Sequence, residues 1–539
     1  MIRRIRPETF LCRVLGIAVI LGLAGCSPEQ YKAQADKEVY QIIDSKWQDG
    51  YGHKSNYIVS DSNIPPSPDD IRIERAVPPS GGISLAQAVA IATAYNREYQ
   101  GQKEQLYLKA LDLTLVRHQF ARQWFGTVDA KYISDSEDEK VASDVGVGFQ
   151  QLLADGARIS IDIAIDWTRF LTGDPRTSLA SILSASATQP LLRGRGREIV
   201  QENLTQAERD VLYQIRSFNR YRKDFVVSIA NDYYRVLELK ASVTNAENSY
   251  YRLLESRKRL EIEVEAGTAR PFDVDEAEQQ ALSAENRWVQ AQQSYERALD
   301  EFKVKLSLPP DAEIELDQNE LKALEEIGII EPGYELYEAV ETAFLRRLDL
   351  ANSRDKTDDA ARKVMLAADG LGIELNLVGS AGVGSTPETD FDRLQFHRGN
   401  YSLGLESNDL GLDRKAERNA YREALIALEQ QQRQYEIDRD RMELDVRQAL
   451  RALKAEAEQY RIQKMALDLA VRRLETQKLL LEIGQGNVRL LLESEGALLG
   501  AQNDVTSALV AHAIAKLGFF RDIGILQVRP DGMWEQQVQ

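Results

Sequence analysis

The stretch RISIDIAIDW, residues 158–167, alternates strictly between apolar and polar side chains. Successive side chains of a β-strand point to opposite faces, so a strand here would have one apolar face and one polar face. About ten residues let a tilted strand cross a membrane, but a soluble sheet with one solvated face shows the same alternation. We predict a strand whose apolar set faces lipid: Ile159, Ile161, Ile163, Ile165 and Trp167.

Weaker alternation marks further strand candidates, and polar runs separate some of them. The candidates are residues 124–133, 145–152, 178–188, 371–381 and 400–406. The polar runs, which are typical of loops that face water, are residues 134–144, 171–178 and 385–393. The alternation therefore predicts a first group of four strands before residue 190 and a second group of two after residue 370.

The helical segments form two copies of one plan. LAQAVAIATAY at 85–95 matches LYEAVETAFLR at 336–346 in four positions, at an offset of 251. Further along, an apolar ladder with a seven-residue period runs from Val446 to Leu481, and a related ladder lies 217 residues earlier. Such a period predicts coiled-coil packing. The first half thus holds 34 extra residues, the difference between the offsets, which an added β-hairpin would fill.

Each ladder can belong to one very long helix, because no proline interrupts residues 191–270 or 388–529. Glycine suits the tight turn from such a helix into a return helix. We predict two helical hairpins, at 196–306 and 412–518. Their tips would contain Gly267 after the first ladder and Gly484 and Gly486 after the second.

The N-terminus has the pattern of a targeting segment. Four arginines lie within residues 1–13, and residues 14–24 are apolar but too few for a comfortable membrane span. The sequence then reads LAGC, which resembles the bacterial lipobox and makes Cys26 the expected acylation point. A lipid on Cys26 would anchor the chain without spanning the membrane. The alternative is an ordinary signal peptide with a chance cysteine.

Composition and motifs argue against several functions. A net charge of −18 is unsuited to nucleic-acid binding, which needs a basic surface. The two cysteines lie at positions 12 and 26, so a cysteine-based metal site or a thiol catalyst is not expected in the mature chain. The four histidines form no HExxH pair, and the sequence has no phosphate-binding loop. We therefore predict no enzymatic activity, no metal and no cofactor beyond the lipid.

Together these features resemble the TolC-type outer-membrane efflux proteins, the outer membrane factor lipoprotein family. ISLAQAVAIATAYNREYQ at 83–100 resembles that family's opening helix, and QPLLRGRG at 189–196 resembles its step from strand to long helix. The residues from Gly267 to Asp273 resemble its first hairpin tip. The resemblance covers about residues 84–525. ESNDLGLDRK at 406–415 departs from the family pattern at the second strand-to-helix junction.

The resemblance implies an α+β membrane protein with a definite organisation. Its duplicated long helical hairpins would form a periplasmic α-barrel, and its strands would join one shared trimeric β-barrel in the outer membrane. The expected segments are a signal peptide (1–25), a lipid-anchored tether (26–83), a first repeat (84–310, strands 124–188), a linker (311–333), a second repeat (334–525, strands 371–406) and a tail (526–539).

The resemblance also implies a function and partners. The protein would be the outer-membrane exit duct of a tripartite efflux or type I secretion system in a Gram-negative bacterium. It would conduct solutes passively, served by a periplasmic adaptor and an inner-membrane RND or ABC pump. The family barrel has four strands per subunit, hence twelve, whereas the six strand candidates here would give eighteen. The alternative is that the extra hairpin lies outside the barrel.

Charged residues at the tips are the expected gate. In the family, inward-folded hairpin tips are held by polar links and acidic rings. By position, Asp273 corresponds to an acidic link of the first tip and Glu493 to an acidic ring of the second. Arg270 and Arg489 are nearby partners for these carboxylates, and the tip glycines would contact the adaptor. The simpler interpretation of each charge is a solvated helix face.

Two other functions fit parts of the sequence. A lipid-anchored periplasmic coiled-coil scaffold without a pore would explain the helices, and the weak alternation in the second half favours it. A periplasmic adaptor would also contain a helical hairpin. However, an adaptor should have one hairpin and a lipoyl-like domain rather than two duplicated hairpins.

Overall fold

A computed structural model gives the fold of most of the chain. It describes residues 27–51, 54, 57–59, 82–134, 139–171, 177–330, 333–386, 390–483, 485–529 and 534–535. The predicted signal peptide, the lipidation site Cys26 and the tip residue Gly484 lie outside these residues. The chain divides into two units. The first comprises 1–47, 106–212 and 369–414, and the second comprises 48–105, 213–368 and 415–539.

Short helices open the two halves in the same way. Helix α1 (Pro28–Lys46) begins after Ser27. Helices α2 (Leu85–Tyr95) and α3 (Arg97–Phe120) then have counterparts, each 251 residues later, in α8 (Leu336–Arg346) and α9 (Leu348–Asp369). Ser84 and Gln87 form a reciprocal capping box that starts α2, which satisfies two backbone donors at the helix end. The repeat that the sequence predicts is thus present in the helices.

Two very long helices have most of their residues in the second unit. After the short α4 (Arg197–Val200), α5 (Glu202–Glu265) has 64 residues, and α10 (Lys415–Glu482) has 68. At 1.5 Å per residue each spans roughly 100 Å. The return helices α6 (Pro271–Lys305) and α11 (Val488–Asp522) have 35 residues each. Among the described helices, none has an apolar stretch long enough to cross a membrane.

The side chains of the seven-residue ladders face the hydrophobic cores of the second unit. Val446, Leu453, Tyr460 and Leu474 of α10 are buried, and Leu467 and Leu481 are partly buried. In α5, Ile229 and Val236 are buried. Leu474 packs with Leu491 and Leu498 of α11, and Leu253 and Leu260 pack with three alanines of α6. Small residues on the return helix allow the close approach that coiled-coil packing requires.

Smaller elements complete the second unit. Strands β1 (Gly82–Ile83) and β6 (Glu315–Leu316) pair in parallel. Helix α7 (Asn319–Ile327) follows β6 along the chain, and strands β10 (Gln527–Val528) and β11 (Trp534–Glu535) form a short antiparallel pair.

The first unit contains one antiparallel sheet. Its strands are β2 (Gln123–Ser134), β3 (Glu139–Leu152), β4 (Arg158–Phe170), β5 (Thr177–Pro190), β7 (Asn376–Thr386), β8 (Asp390–Leu394) and β9 (Asn400–Glu406). The order is β2-β3-β4-β5-β7, and both β8 and β9 pair with β7. Strand β8 pairs with the end of β7 and β9 with its beginning, so they form two parts of one returning strand. The sheet therefore has six strand positions.

The predicted fold class, long duplicated helical hairpins plus a strand region, is confirmed, but some strand bounds differ. The second strand group begins at Asn376 rather than at residue 371. Leu371 and Gly372 form a turn after α9, and Ile373 and Leu375 accept backbone hydrogen bonds from Arg193 and Leu191 instead of joining the sheet. The polar run 134–144 was expected to be a loop, yet β3 begins at Glu139. The backbone ladder of a hairpin continues where the apolar alternation has ended, because pairing does not depend on side-chain polarity.

Asp409 organises the junction that departs from the family pattern. Its carboxylate accepts hydrogen bonds from Arg193 Nη1 (3.0 Å), Arg414 Nη1 (2.8 Å) and the backbone N–H of Gly411 (2.9 Å). These contacts lower the pKa of Asp409, chiefly through the backbone N–H of Gly411. Arg193 belongs to the first strand-to-helix junction, so one carboxylate joins the two junctions.

Candidate functional site: the amphipathic sheet and the hairpin tips

The register of the sheet places its apolar residues on one face. Residues directly opposite each other on antiparallel strands lie on the same side of a sheet. Ile163 pairs with Val147 of β3 and Leu183 of β5, and Leu183 pairs with Val383 of β7. Every second residue along each strand, in register with Ile163, belongs to the same face, which we call the apolar face. It includes Trp124, Val128, Tyr132, Val145, Val147, Phe149, Ile159, Ile161, Ile163, Ile165, Trp167, Leu179, Leu183, Leu377, Val383, Tyr401, Leu403 and Leu405.

Much of this apolar face is open in the protomer. The side chains that are 36% to 78% exposed are Trp124, Val128, Tyr132, Val145, Val147, Ile161, Ile163, Leu377, Tyr401, Leu403 and Leu405. The face carries no charged side chain within residues 124–132, 141–149, 159–167, 179–187, 377–383 and 401–405. An exposed apolar surface of this extent marks a contact with lipid or with another protein. All five lipid-facing candidates of β4 lie on it, and their contact with lipid stays a prediction.

The opposite face, called the polar face, carries the charges within these same ranges. Asp129 pairs with Asp144, and Asp144 pairs with Asp166, so three carboxylates stand side by side on β2, β3 and β4. Lys131 Nζ lies 2.9 Å from Asp129 Oδ2. The remaining positions are largely serine, threonine, glycine and alanine, with Phe125 and Ile182 as exposed apolar exceptions. Carboxylates directly opposite one another repel, so water or cations must face this surface.

The first hairpin tip is closed by a glycine turn and a local cap. Gly267 has a φ of +80°, a conformation that favours glycine, and the N–H groups of the next two residues donate to the carbonyl of Glu263. Asp273 is buried. Its carboxylate accepts hydrogen bonds from the Nη2 (2.7 Å) and Nε (3.1 Å) of Arg270, a largely exposed side chain. The structure thus brings the two predicted gate residues together as the N-terminal cap of α6, and a gating role stays a prediction.

Acid should weaken this cap. The hydrogen bond from Arg270 holds the pKa of Asp273 below its usual range. A lowered pKa means that the cap stabilises the folded tip above about pH 4 and is lost as the pH falls through the folded value. We expect Asp273→Asn to lower the free energy of unfolding at pH 6 by at most about 1 kcal/mol, because Arg270 is exposed, and therefore to lower the melting temperature. Scanning calorimetry of both proteins from pH 6 to pH 3 should show this difference shrink. A difference that grows toward pH 3 would contradict the assignment.

The second tip joins the two hairpins more loosely. Arg489 Nε lies 3.0 Å from Glu493 Oε1 on α11 and 4.0 Å from Glu276 Oε1 on α6. Arg489 and Glu493 are exposed. The pair therefore behaves as an i, i+4 surface ion pair, worth little by itself, with a weak link to the first hairpin. The simpler interpretation, a solvated helix face, describes most of what Glu493 does within one protomer.

Glycine is required at position 486 because the backbone of Leu481 lies close to it, and not because of its own backbone angles. A Cβ at this position would lie 2.5 Å from both the Cα and the backbone N of Leu481. We expect Gly486→Ala to destabilise the second tip by about 1–3 kcal/mol, because the backbone must shift to accept the methyl group. Gly500→Ala on α11 is the matched control, since its Cβ would meet nothing within 4 Å and alanine favours a helix. Calorimetry that ranks the two variants equally would contradict this role.

Glu495 is a tip residue that the sequence interpretation missed. Its side chain is 1% exposed and lies among apolar neighbours on the core side of α11. It accepts a hydrogen bond from Arg252 Nε of α5 (2.6 Å) and lies 3.3 Å from Lys478 Nζ of α10. One carboxylate therefore ties three long helices near the tips. A glutamate inside the apolar run LLLESEGALLG was the signal that could have found it.

A cavity of about 180 Å³ adjoins this ion cluster. Its walls combine the cluster with Glu255, Arg259 and Glu482, and with leucines of all three helices. The Nη2 atom of Arg252 is buried there and has no hydrogen-bond partner among the described residues. The space is polar and large enough for ordered water, which would satisfy that donor.

Comparison with solved structures identifies the fold. No protein-family model and no curated protein sequence matches the chain. The open state of the Neisseria gonorrhoeae MtrE outer membrane channel matches with a TM-score of 0.60 and 16% identity over 83% of this chain and 90% of that one. The Campylobacter jejuni CmeC outer membrane channel matches at 0.59 and 14%, over 84% and 87%. The Vibrio cholerae outer membrane protein VceC matches at 0.58 and 14%, over 82% and 96%.

This chain has the fold of an outer-membrane channel. The protomer fold that the TolC-type resemblance implied, with strands between helical segments in each half, is therefore confirmed. At these identities the likeness concerns the fold alone.

Proposed function

We propose that the protein is an outer-membrane exit duct of a Gram-negative bacterium, working in a tripartite efflux or type I secretion system. The observation that carries the proposal is the sheet, whose apolar face runs without a charge across six strand positions while its polar face carries the aspartates. Lipid on one side and water on the other is the environment that suits such a sheet. The likeness to outer-membrane channels supports the same assignment.

The open sheet supports assembly into the homotrimer that the TolC-type resemblance implies. Strands β2 and β9 each have one unpaired edge among the described residues, and an unpaired edge is not stable in hydrocarbon. Three copies would close one shared barrel in the outer membrane, and their helical hairpins would build an α-barrel in the periplasm. A lipid on Cys26 would add an anchor in the same membrane.

Transport through this duct would be passive. The sequence contains no phosphate-binding loop, so energy would come from an inner-membrane RND or ABC pump. A periplasmic adaptor would dock on the hairpin tips, around Gly267, Gly484 and Gly486. The row of Asp129, Asp144 and Asp166 on the polar face would make the lumen favour cations.

Single-channel recording in planar bilayers tests this function. We expect the purified trimer to give a small, cation-selective conductance, and the double variant Asp273→Ala with Glu493→Ala to give a larger one if these carboxylates hold the tips. An unchanged conductance in the variant would keep the duct and reject the gate residues. No conductance from either protein, with soluble behaviour once the lipid is removed, would favour the non-conducting periplasmic scaffold instead.

A further inference from the structure

The sheet of one protomer has more strands than the four per subunit that the TolC-type resemblance implies. Strands β2, β3, β4, β5 and β7 and the returning β8–β9 segment fill six positions in one continuous order. All neighbouring pairs are antiparallel, so β9 runs opposite to β2. The two outer strands could therefore pair in the same antiparallel sense if they came from neighbouring copies.

Strand β2 has the properties of a barrel strand rather than of an accessory hairpin. It pairs with β3 over all twelve residues without a bulge, and it contains no proline. Natural edge strands that must stay unpaired are short, bulged, or protected by proline or by charged side chains. The charges of β2, Asp129 and Lys131, lie on its polar face, and its apolar side, with Trp124, Val128 and Tyr132, is open and uncharged, so that side has none of these protections.

The β2–β3 hairpin also extends the apolar face over its full height. Trp124 and Tyr132 are eight residues apart on β2, as are Ile159 and Trp167 on β4. At about 3.4 Å per residue and a tilt near 40°, eight residues span roughly 21 Å, close to the height of the apolar band of an outer-membrane barrel. Trp124 lies on Phe149 with ring centroids 5.2 Å apart, which places aromatic side chains at one border of this band.

We propose that three copies close one eighteen-stranded barrel, in which β2 of each copy pairs with β9 of the next. This rests on the proposed function and defines the width of its outer mouth. With strands 4.8 Å apart and tilted by about 40°, eighteen strands give a backbone diameter of roughly 36 Å, against roughly 24 Å for twelve. Barrels of sixteen to eighteen strands enclose an aqueous channel. The outer mouth then admits bulky hydrated solutes, and selection must occur elsewhere along the duct.

Cysteine cross-linking tests the pairing between copies. The sequence has no cysteine after position 26, so introduced thiols are the only ones in the sheet. Thr127→Cys on β2 would be combined, one at a time, with Asn400→Cys, Ser402→Cys or Gly404→Cys on β9, all on the polar face. Directly opposed strand residues lie within the distance that a disulfide bridges. After oxidation of the membrane-embedded protein, we expect at least one pair to give a covalent trimer on non-reducing gels, and each single variant to give monomers.

Ala164→Cys on β4 tests the competing arrangement. It would be combined, one at a time, with the same three β9 substitutions, and these variants form the β4 series, whereas the Thr127→Cys combinations form the β2 series. If the β2–β3 hairpin lay outside the barrel, β4 would be the edge strand and would cross-link to β9 of the next copy. Covalent trimers from the β4 series, or intact trimers that the β2 series fails to cross-link, would overturn the eighteen-stranded barrel while leaving the duct in place. Cross-linking that stops at a closed dimer would overturn it as well. Loss of both the trimer and the conductance would instead reject the proposed function, and the barrel with it.

A deletion gives an independent measurement. Removal of residues 123–157 takes out β2, β3 and the following turn, and leaves β4 to follow α3. If the proposal holds, the diameter of the barrel seen by electron microscopy falls by about one third relative to the full chain. An unchanged diameter in a trimeric deletion variant would show that the hairpin lies outside the barrel.

Discussion

Replacement of Ile163 by arginine is expected to prevent assembly in the outer membrane. Ile163 is the middle one of the five apolar side chains of β4, and its neighbours Val147 and Leu183 are apolar as well. An arginine on the lipid face near the bilayer centre costs about 2–4 kcal/mol per copy. Three copies in one barrel would therefore lose roughly 6–12 kcal/mol, which is comparable with the whole stability of a typical folded protein.

The adjacent residue supplies the control for this substitution. Ala164 lies on the polar face between Gly146 and Ile182, so Ala164→Arg adds the same charge one residue away but toward the lumen. We expect this variant to assemble and to change only ion selectivity, since lumen positions tolerate charge. The measurement is the fraction of protein recovered as trimer from outer membranes, followed by bilayer recording. Equal recovery of the two variants would mean that the apolar face does not contact lipid.

The sheet was predictable wherever one face had to be purely apolar. Strict alternation over 158–167 identified β4, because a side-chain period of two has no other common cause. The same kind of alternation gave a wrong prediction over 371–375. Leu371, Ile373 and Leu375 alternate with other residues, but this stretch forms a junction instead of a strand. The pairing order of strands more than 180 residues apart, such as β5 with β7, requires the three-dimensional fold.

The tips show where sequence reasoning stops. A glycine after a long ladder predicted the turns, and the charges beside it were visible as candidates. The sequence could not distinguish Asp273, which caps its own helix, from a residue that links two helices. Glu495 was not recognised because its partner Arg252 lies 243 residues earlier and Lys478 lies across a turn on another helix. Only the packing of three helices turns these residues into one cluster.

Loss of the Glu495 carboxylate should loosen the hairpin tips more than loss of any exposed tip charge. Glu495→Ala would remove the acceptor from Arg252 and Lys478 and would leave two cations facing each other beside a small cavity. Removing one partner of a fully buried ion pair costs about 3–5 kcal/mol. Because both cations keep some access to water, we expect about 2–3 kcal/mol here.

Hydrogen exchange measured by mass spectrometry can locate this effect. Peptides that cover 250–265 and 474–495 should exchange faster in Glu495→Ala, whereas the sheet peptides should not change. Glu493→Ala is the matched control, since its carboxylate is exposed and its ion pair is worth about 0.5 kcal/mol or less. A triple variant with Glu495→Leu, Arg252→Leu and Lys478→Met should recover the protection, because a buried ion cluster can be replaced by apolar side chains without loss of stability. If Glu493→Ala alone loosened the tips as much as Glu495→Ala, the surface pair rather than the buried cluster would hold the hairpins together.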